Sequence, residues 1–401
     1  MANTQTTQVD VLISGGGAAG YSLALALQES DISLALVEAH DTASARPSPG
    51  FDARVIALSA QSLEFYAGFP TGKDIFKHCT AIEHIHVSDK GRVGQCSLHA
   101  KELNKPQLGG VIALQDLGQI LQKQLSPTCL RYQPDSISAV KQQRDFVEVT
   151  LASGKQIETK LLVIAEGANS STATLMNCPA EQEHYHQQAI VANVKLQDSH
   201  DHWAFERFTE HGPLALLPMA DNCASLVWCV SEEQVQNLSA LSDKPFIAQL
   251  QQMFGSRLGR ITDVSKRYCY PLVLTQRKDS TLHRAVVVAN SAQALHPIAG
   301  QGFNLGLRDI QALAQVLGNT DDPGSYQTLR RFQQLRQQDR HQTITMTDAL
   351  VRLFSNNNPI LALSRNAGLI KMALTGDLRK HFARTAMGLR NMNNSEADSV
   401  D

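Results

Sequence analysis

Gly15, Gly17 and Gly20 form a Gly-x-Gly-x-x-Gly run, and an acid, Glu38, stands 18 residues beyond its last glycine. Those residue types at that spacing suit a pyrophosphate. Gly15 permits a tight turn, Gly17 lets backbone approach the anion, and Gly20 lets a helix pack closely on a strand. The helix N-terminus, with Ala18 and Ala19 in the turn that opens it, aims unpaired N–H groups and a positive dipole end at the phosphates. Glu38 would accept hydrogen bonds from a ribose and repel a 2′-phosphate, so FAD and NAD suit the site and NADP does not. The rival reading is a glycine-rich turn without a ligand.

The elements around the loop agree with the first reading. Val9–Ser14 is an apolar, β-branched run of the buried parallel-strand type. Tyr21–Gln28 is rich in Leu and Ala and suits a helix, and Leu34–Glu38 is a second apolar run ending in the acid. Together they make a βαβ unit of about 30 residues. Farther along, Ile82–Val87 and Gln95–His99 alternate around Asp89-Lys-Gly91 as a hairpin would. Leu114–Leu125 reads as a helix, and Ser136–Ile164 as a meander turning at Ala152-Ser-Gly154. Residues 180–275 alternate again, as an antiparallel sheet interrupted by a helix near Pro245–Phe254. Ala285–Ala289 returns to the buried-strand type, and the chain from Gly306 onward is nearly all helical.

Composition bounds the function. The 401 residues carry 36 Lys and Arg against 38 Asp and Glu, a net charge of -2, which makes a poor general nucleic-acid binder. No apolar run approaches the roughly 18 residues that a membrane-spanning helix needs. Met1–Gln8 lacks the basic and apolar parts of a secretory signal. The seven cysteines are scattered, without a Cys-x-x-Cys, and fit a reducing cytosol rather than a disulfide framework or a zinc site. One asymmetry stands out. Between Gly324 and Arg390 there are eleven basic residues and three acids, a local net of +8. That is either a set of solvated helix faces or a basic surface for anionic lipid or an acidic partner.

Two further segments carry a family resemblance. Ala165-Glu-Gly-Ala-Asn-Ser170, and the long run from Ala289 to Asp309 that holds His296-Pro-Ile-Ala-Gly-Gln-Gly302, resemble the second and third fingerprints of the FAD-dependent aromatic hydroxylases, in that family's order. Phe51–Leu58, Ala204-Phe-Glu-Arg-Phe208 and Gly212–Pro218 are similar to its ubiquinone-biosynthesis branch, nearest to the polyprenyl-methoxyphenol hydroxylases. The resemblance covers nearly the whole chain. The family's usual Asp is Glu166 here, its usual Gly-Asp is Ala289-Asn290, and Gln293 stands where many relatives have His; Asn and Gln at those places resemble the methoxyphenol-hydroxylase subgroup.

The resemblance implies a Rossmann-like α/β FAD-binding domain of the aromatic-hydroxylase type, an antiparallel-sheet substrate domain and C-terminal helices. FAD would be held by Gly15, Gly17, Ala18, Ala19, Gly20, Glu38, Arg54, Glu166, Asn290, Gly300, Gln301, Gly302, Phe303 and Asn304, with Pro297 and the Gly300 backbone nearest the reactive edge of the flavin. A helix starting near Asn304 would point its N–H groups at the flavin's pyrimidine end. Reduction by NAD(P)H, reaction with O₂ to a C4a-hydroperoxide and oxygen transfer to a phenol would follow, with water excluded. Arg54 would contact the cofactor, or else be a solvent-exposed arginine. Arg207, Leu216 and Pro218 are candidates to line the substrate cavity; a salt bridge with Glu206 or another acid is the alternative for Arg207. His296, before a proline in a tight loop, reads as structural. No group stands out as the base for the phenol.

The implied organisation is an FAD-binding part in three pieces (1–78, 111–180, 276–320), a substrate part in two (the hairpin 79–110 and the sheet 181–275), a helical region 321–390 and a disordered tail 391–401. A polyprenylated phenol partitions into bilayers, so the reading adds a peripheral inner-membrane contact for a cytoplasmic enzyme, or a ubiquinone-biosynthesis assembly. Leu361, Leu369, Ile370, Met372 and Leu374 beside Arg365, Lys371, Arg379 and Lys380 are the candidate surface; packing against the FAD-binding domain is the alternative for the apolar face. Two other functions stay open: an FAD-dependent isoprenoid reductase, and a non-catalytic assembly component.

Overall fold

The computed structural model describes residues 6–41, 51, 54–354 and 359–388. Strand β1 (Thr7–Ser14), helix α1 (Ala18–Leu27) and strand β2 (Leu34–Val37) follow one another as the apolar runs predict. β1 lies between β2 and Gln156–Ile164, both parallel to it. Ala285–Val287 and Leu130–Tyr132 extend the parallel core on either side. This centre is buried on both faces, which explains why its strands read as continuous rather than alternating apolar runs. The meander Ile137–Gln142, Val147–Leu151 and Gln156–Ile164 is antiparallel and completes an eight-stranded mixed sheet. On one side, Leu23 and Leu27 of α1 pack with Leu307, Ile310 and Leu313 of the helix Gln301–Leu317, and with Phe332 of the long helix Tyr326–Phe354.

A second, nine-stranded sheet is built mainly from antiparallel pairs between residues 181 and 294. The hairpin His84–Asp89 and Gln95–His99 joins its edge, because His84–Asp89 runs parallel to Trp203–Thr209. One face is covered by the helices Glu232–Ala240 and Asp243–Phe254, through Val235, Leu238, Phe246 and Leu250 against Leu214, Leu216, Leu226 and Trp228. The first of these helices is absent from the sequence reading. Its start is polar, and only the Ser231 hydroxyl, accepting from Gln234 N–H at 3.3 Å, marks it. The other face packs against the three-stranded sheet, the turn Ile298–Gly300 and the long helix, in a cluster that joins Ala204, Phe208, Leu217 and Met219 to Ala57, Ile298 and Val351. A three-stranded sheet begins with β3 (Val55–Ser59) and leads into helix α2 (Ala60–Ala67). The tail 391–401 lies outside the described residues.

Candidate functional site

At the end of β1 the chain turns where Gly15 adopts φ +112, a conformation that favours glycine. A Cβ there would sit 2.4 Å from Ala165 O, and one on Gly20 would sit 1.9 Å from Gly15 O. Gly17 is different: nothing lies within 4 Å of its Cβ position. Two glycines are thus closed in by backbone, and the one expected to face an anion opens on free space. α1 starts at Ala18 with no side-chain cap and no acid in its first turn, so its positive end is left for an external anion. Glu38 sits at the rim, its carboxylate accepting from Gly16 N–H at 2.6 Å and His40 N–H at 2.8 Å.

The second glycine loop repeats the arrangement. Pro297 opens a 3₁₀ turn over Ile298–Gly300, Gly300 takes φ +61, and the helix Gln301–Leu317 starts at once, three residues earlier than the sequence predicts. This helix also lacks a side-chain cap and a first-turn acid, and the Cβ position of Gly302 is likewise open. Gln301 is buried, and Phe303 packs against the core under α1. The Asn304 amide is fully committed: it donates to Ala57 O at 2.9 Å and Gly300 O at 2.7 Å, and accepts from Ser59 N–H at 2.8 Å and the Ser62 hydroxyl at 2.7 Å. Its side chain fastens the loop to β3 and α2. Two uncapped helix ends on neighbouring helices, each with an open glycine, fit a dinucleotide that presents a pyrophosphate to one and, to the other, a ring that gains negative charge on reduction.

Of the departures from the family pattern, Glu166 and Gln293 find partners inside the chain. The Glu166 carboxylate accepts from the hydroxyls of Ser14 and Thr172, from Ser170 Oγ at 2.7 Å and from Thr172 N–H at 3.0 Å. Burial raises its pKa, but the hydroxyls of Ser14, Thr172 and Ser170 outweigh burial and hold it below the usual glutamate range. Glu166 therefore ties the end of β1 to the turn after Gln156–Ile164. Ala289 adopts φ +52 and Asn290 is exposed beside it. Gln293 donates to Asp309 Oδ2 at 2.9 Å. Asp309 is buried and also pairs with Arg336 at 2.8 Å and Arg340 at 3.2 Å, while Asp339 binds Arg308 and Arg336 at 2.6 Å each. This network escaped the sequence reading; its signal is Arg308-Asp309 inside an otherwise uncharged helix.

Two contacts hold the first sheet's loops against the second sheet. Asn193 Nδ2 donates to Phe51 O at 2.7 Å, and Arg54, itself exposed, reaches Tyr270 Oη at 3.4 Å. Asp52 and Ala53 lie outside the described residues. His296 is buried, with Nδ1 accepting from Ile298 N–H at 3.2 Å and its ring edge-on to Tyr185, centroids 5.4 Å apart. Burial lowers its pKa to about 4, so it is neutral at physiological pH. Tyr185 Oη donates to Asp348 at 3.2 Å. Among the described residues no group of three or more His, Cys, Asp or Glu is placed to hold a metal.

The three cavity candidates face elsewhere. Arg207 Nε donates to Met253 O at 3.0 Å, at the end of the helix Asp243–Phe254, and makes no ion pair with Glu206. Leu216 is wholly buried in the helix-covered core, and alternation gives Pro218 the same side. The physical reason is parity: a strand alternates, so the residues turned toward Ala57 and Ile298 are the neighbours Glu206, Leu217 and Met219.

Comparison with known proteins agrees with this geometry. A family described as FAD binding domain matches residues 8–346. The chain is 34% identical over 388 residues to the ubiquinone hydroxylase UbiL of Rhodospirillum rubrum, covering 94% of this chain and 89% of that one. It is 30% identical over 387 residues to the 3-demethoxyubiquinol 3-hydroxylase of Escherichia coli, covering 95% and 98%. In fold it matches the p-nitrophenol 4-monooxygenase PnpA of Pseudomonas putida with a TM-score of 0.78 at 15% identity, over 96% of this chain and 100% of that one. The chain belongs to the family of FAD-dependent monooxygenases that includes the ubiquinone-biosynthesis hydroxylases, and has the α/β fold of the FAD-binding aromatic hydroxylases.

Proposed function

We propose that this enzyme uses NAD(P)H and O₂ to hydroxylate the ring of a polyprenylated methoxyphenol in ubiquinone biosynthesis. The observation that carries the reading is the pair of open glycines, Gly17 and Gly302, each at an uncapped helix start. The first sheet, with α1 and the helix Gln301–Leu317, is the FAD-binding part, and the nine-stranded sheet is the substrate part. FAD, when bound, supplies the oxygen-transfer chemistry. The chain supplies placement: Gly17 and the start of α1 take the pyrophosphate, Glu38 the ribose, and the backbone of Gly300–Phe303 the flavin ring. Ala189, Val191, Ala215, Val227, Leu217 and Met219 give the substrate an apolar wall that excludes water. Gln293 and Asn290 favour the methoxyphenol step among the ring positions. Gly306, in the helix Gln301–Leu317, leaves room for the Ala289 methyl, which supports a catalytic role over that of an assembly component.

The substrate's tail calls for collection at a membrane or from a lipid-carrying partner. No helix among the described residues is long and apolar enough to cross a membrane. Leu363, Ile370 and Leu374 form an exposed stripe on the helix Pro359–Leu374 with Lys371 beside it, and we place the peripheral contact there. Arg365 and Arg379 are not part of it, being paired with Asp89 and Glu102; the side chain of Leu361 lies outside the described residues.

The test is metabolite analysis in a strain lacking the gene, joined to assay of the purified protein. Accumulated unhydroxylated methoxyphenol, and ¹⁸O₂ label in the product matched to NAD(P)H oxidation, are expected. A saturated isoprenoid without label would assign a reductase, and build-up of another quinone precursor would move the ring position.

A further inference from the structure

On the face of the nine-stranded sheet turned toward the loop Pro297–Gly300, Asp89 and Glu206 are carboxylates of different standing. Asp89 is ion-paired with Arg365 at 3.4 Å. Glu206 makes no hydrogen bond or ion pair among the described residues. Its neighbours along the strand on the same face, Ala204 and Phe208, are buried in the apolar cluster that contains Ile298 of the flavin loop. Across the sheet it faces Val87 on one side and Ala215 on the other. A desolvated carboxylate without a partner is costly. This one lies deep in the protein yet keeps accessible surface. A partner for it has to come from a ligand bound against this face.

We propose, resting on the functional reading above, that Glu206 is the catalytic residue that receives the substrate's phenolic O–H. It accepts that hydrogen bond when the phenol binds and takes the proton as the ring is hydroxylated. The phenolic O–H bond breaks, an O–H bond forms on Glu206, and the electron pair stays on the phenolic oxygen, enriching the ring. When the ring regains aromaticity, the proton on its hydroxylated carbon leaves to solvent and the proton on Glu206 returns to the phenolic oxygen. Glu206 ends as it began, and no oxidant or reductant enters this step.

Burial raises the Glu206 pKa to about 7, the range in which a general base works best near neutrality. The groups around it titrate elsewhere or are paired. Burial pushes the thiols of Cys229 and Cys96 up, and lowers His296 to about 4. Burial also raises Tyr185, which is bonded to Asp348; Asp348 is in turn held by Arg352 at 2.8 Å. Arg207 lies on the opposite face.

The probes are 2-geranyl-6-methoxyphenol and its methyl ether, which lacks the O–H, applied to the FAD-loaded enzyme. In the wild type, affinity for the phenol relative to the ether should rise between about pH 6 and 8, and kcat/KM for the phenol should rise with it. Glu206→Gln should flatten both profiles and lower kcat about 10²- to 10⁴-fold, the usual range for loss of a general base, with ether affinity and flavin content unchanged. A Glu206→Gln enzyme that keeps the wild-type profiles overturns the proposal. So does a flat phenol-to-ether ratio in the wild type, a result that needs no variant to fold. If the wild type oxidises NAD(P)H but neither binds nor hydroxylates the phenol, the functional reading has failed, and the role of Glu206 falls with it.

Discussion

Ala289 presses directly against Gly306: with Ala289 at φ +52, a Cβ on Gly306 would lie 2.8 Å from the Ala289 methyl. The family's glycine is replaced at one position, and a glycine in the facing helix supplies the room. Left-handed backbone costs an alanine about 1 kcal/mol. Gly306→Ala should destabilise by about 1–3 kcal/mol through overpacking, and loosen the flavin loop in the same helix. Ala289→Gly in that background should recover most of the loss. Urea denaturation and flavin titration of the four proteins measure the coupling; strictly additive effects would show that the two residues do not share the space.

The two kinds of glycine in the first loop separate folding from binding. Gly17→Ala meets no atom within 4 Å, so the apoprotein should melt as the wild type does while FAD affinity falls tenfold or more, about 1.4 kcal/mol. Gly20→Ala drives a methyl to 1.9 Å from Gly15 O and should cost the fold itself. Calorimetry on the apoproteins and fluorescence titration with FAD give the comparison. A Gly17→Ala protein that binds FAD at wild-type strength would remove the pyrophosphate from this turn.

The backbone devices were legible because they rest on residue type and local spacing. Gly15, Gly17 and Gly20 behave as three distinct glycines, and β1, α1 and β2 run as their apolar pattern demands. What failed was orientation. Arg207, Leu216 and Pro218 lie in the expected strands but on the other face, since a period of two places every side chain by a single register choice that only the paired strands fix. Asn304 and Glu166 were readable as polar groups in the right loops, but their partners, Ser59, Ser62, Ser14 and Thr172, come from other elements. The Asp309–Arg336 pair joins two helices through residues 27 positions apart, a spacing without a local period.

That buried pair sets an acid limit on stability. Burial alone would raise the Asp309 pKa, but the charges of Arg340 and Arg336 prevail and hold it below the usual aspartate range. A lowered folded-state pKa gives stability that is present above the unfolded value of 3.8 and is lost as pH falls through the folded one. Asp309→Ala leaves Arg336 and Arg340 without this carboxylate and should cost about 3–5 kcal/mol at neutral pH. The variant should also lose part of the wild type's acid unfolding limb. Denaturant midpoints measured from neutral to acid pH test both statements, and a neutral substitution would mean that Asp339 alone holds the arginines.

Glu206 acts with the opposite sign in a separate pH window. Its folded-state pKa, about 7, lies above the ordinary 4.5, so the folded protein holds the proton more tightly. The associated stability is fully present below 4.5 and is lost as pH rises through 7. The shift corresponds to about 3 kcal/mol as an upper bound, and the accessible part of the carboxyl reduces this to the order of 1–2 kcal/mol. Glu206→Gln carries no charge at any pH, so this penalty disappears. The variant should equal the wild type near pH 5 and exceed it near pH 8, read as a rise in urea midpoint for the substrate-free protein. A carboxylate kept at that cost gains its compensation from what binds beside it, so adding 2-geranyl-6-methoxyphenol at pH 8 should narrow the gap by stabilising the wild type more than the variant. Equal stabilisation of the two proteins would mean that the phenol leaves Glu206 without a partner.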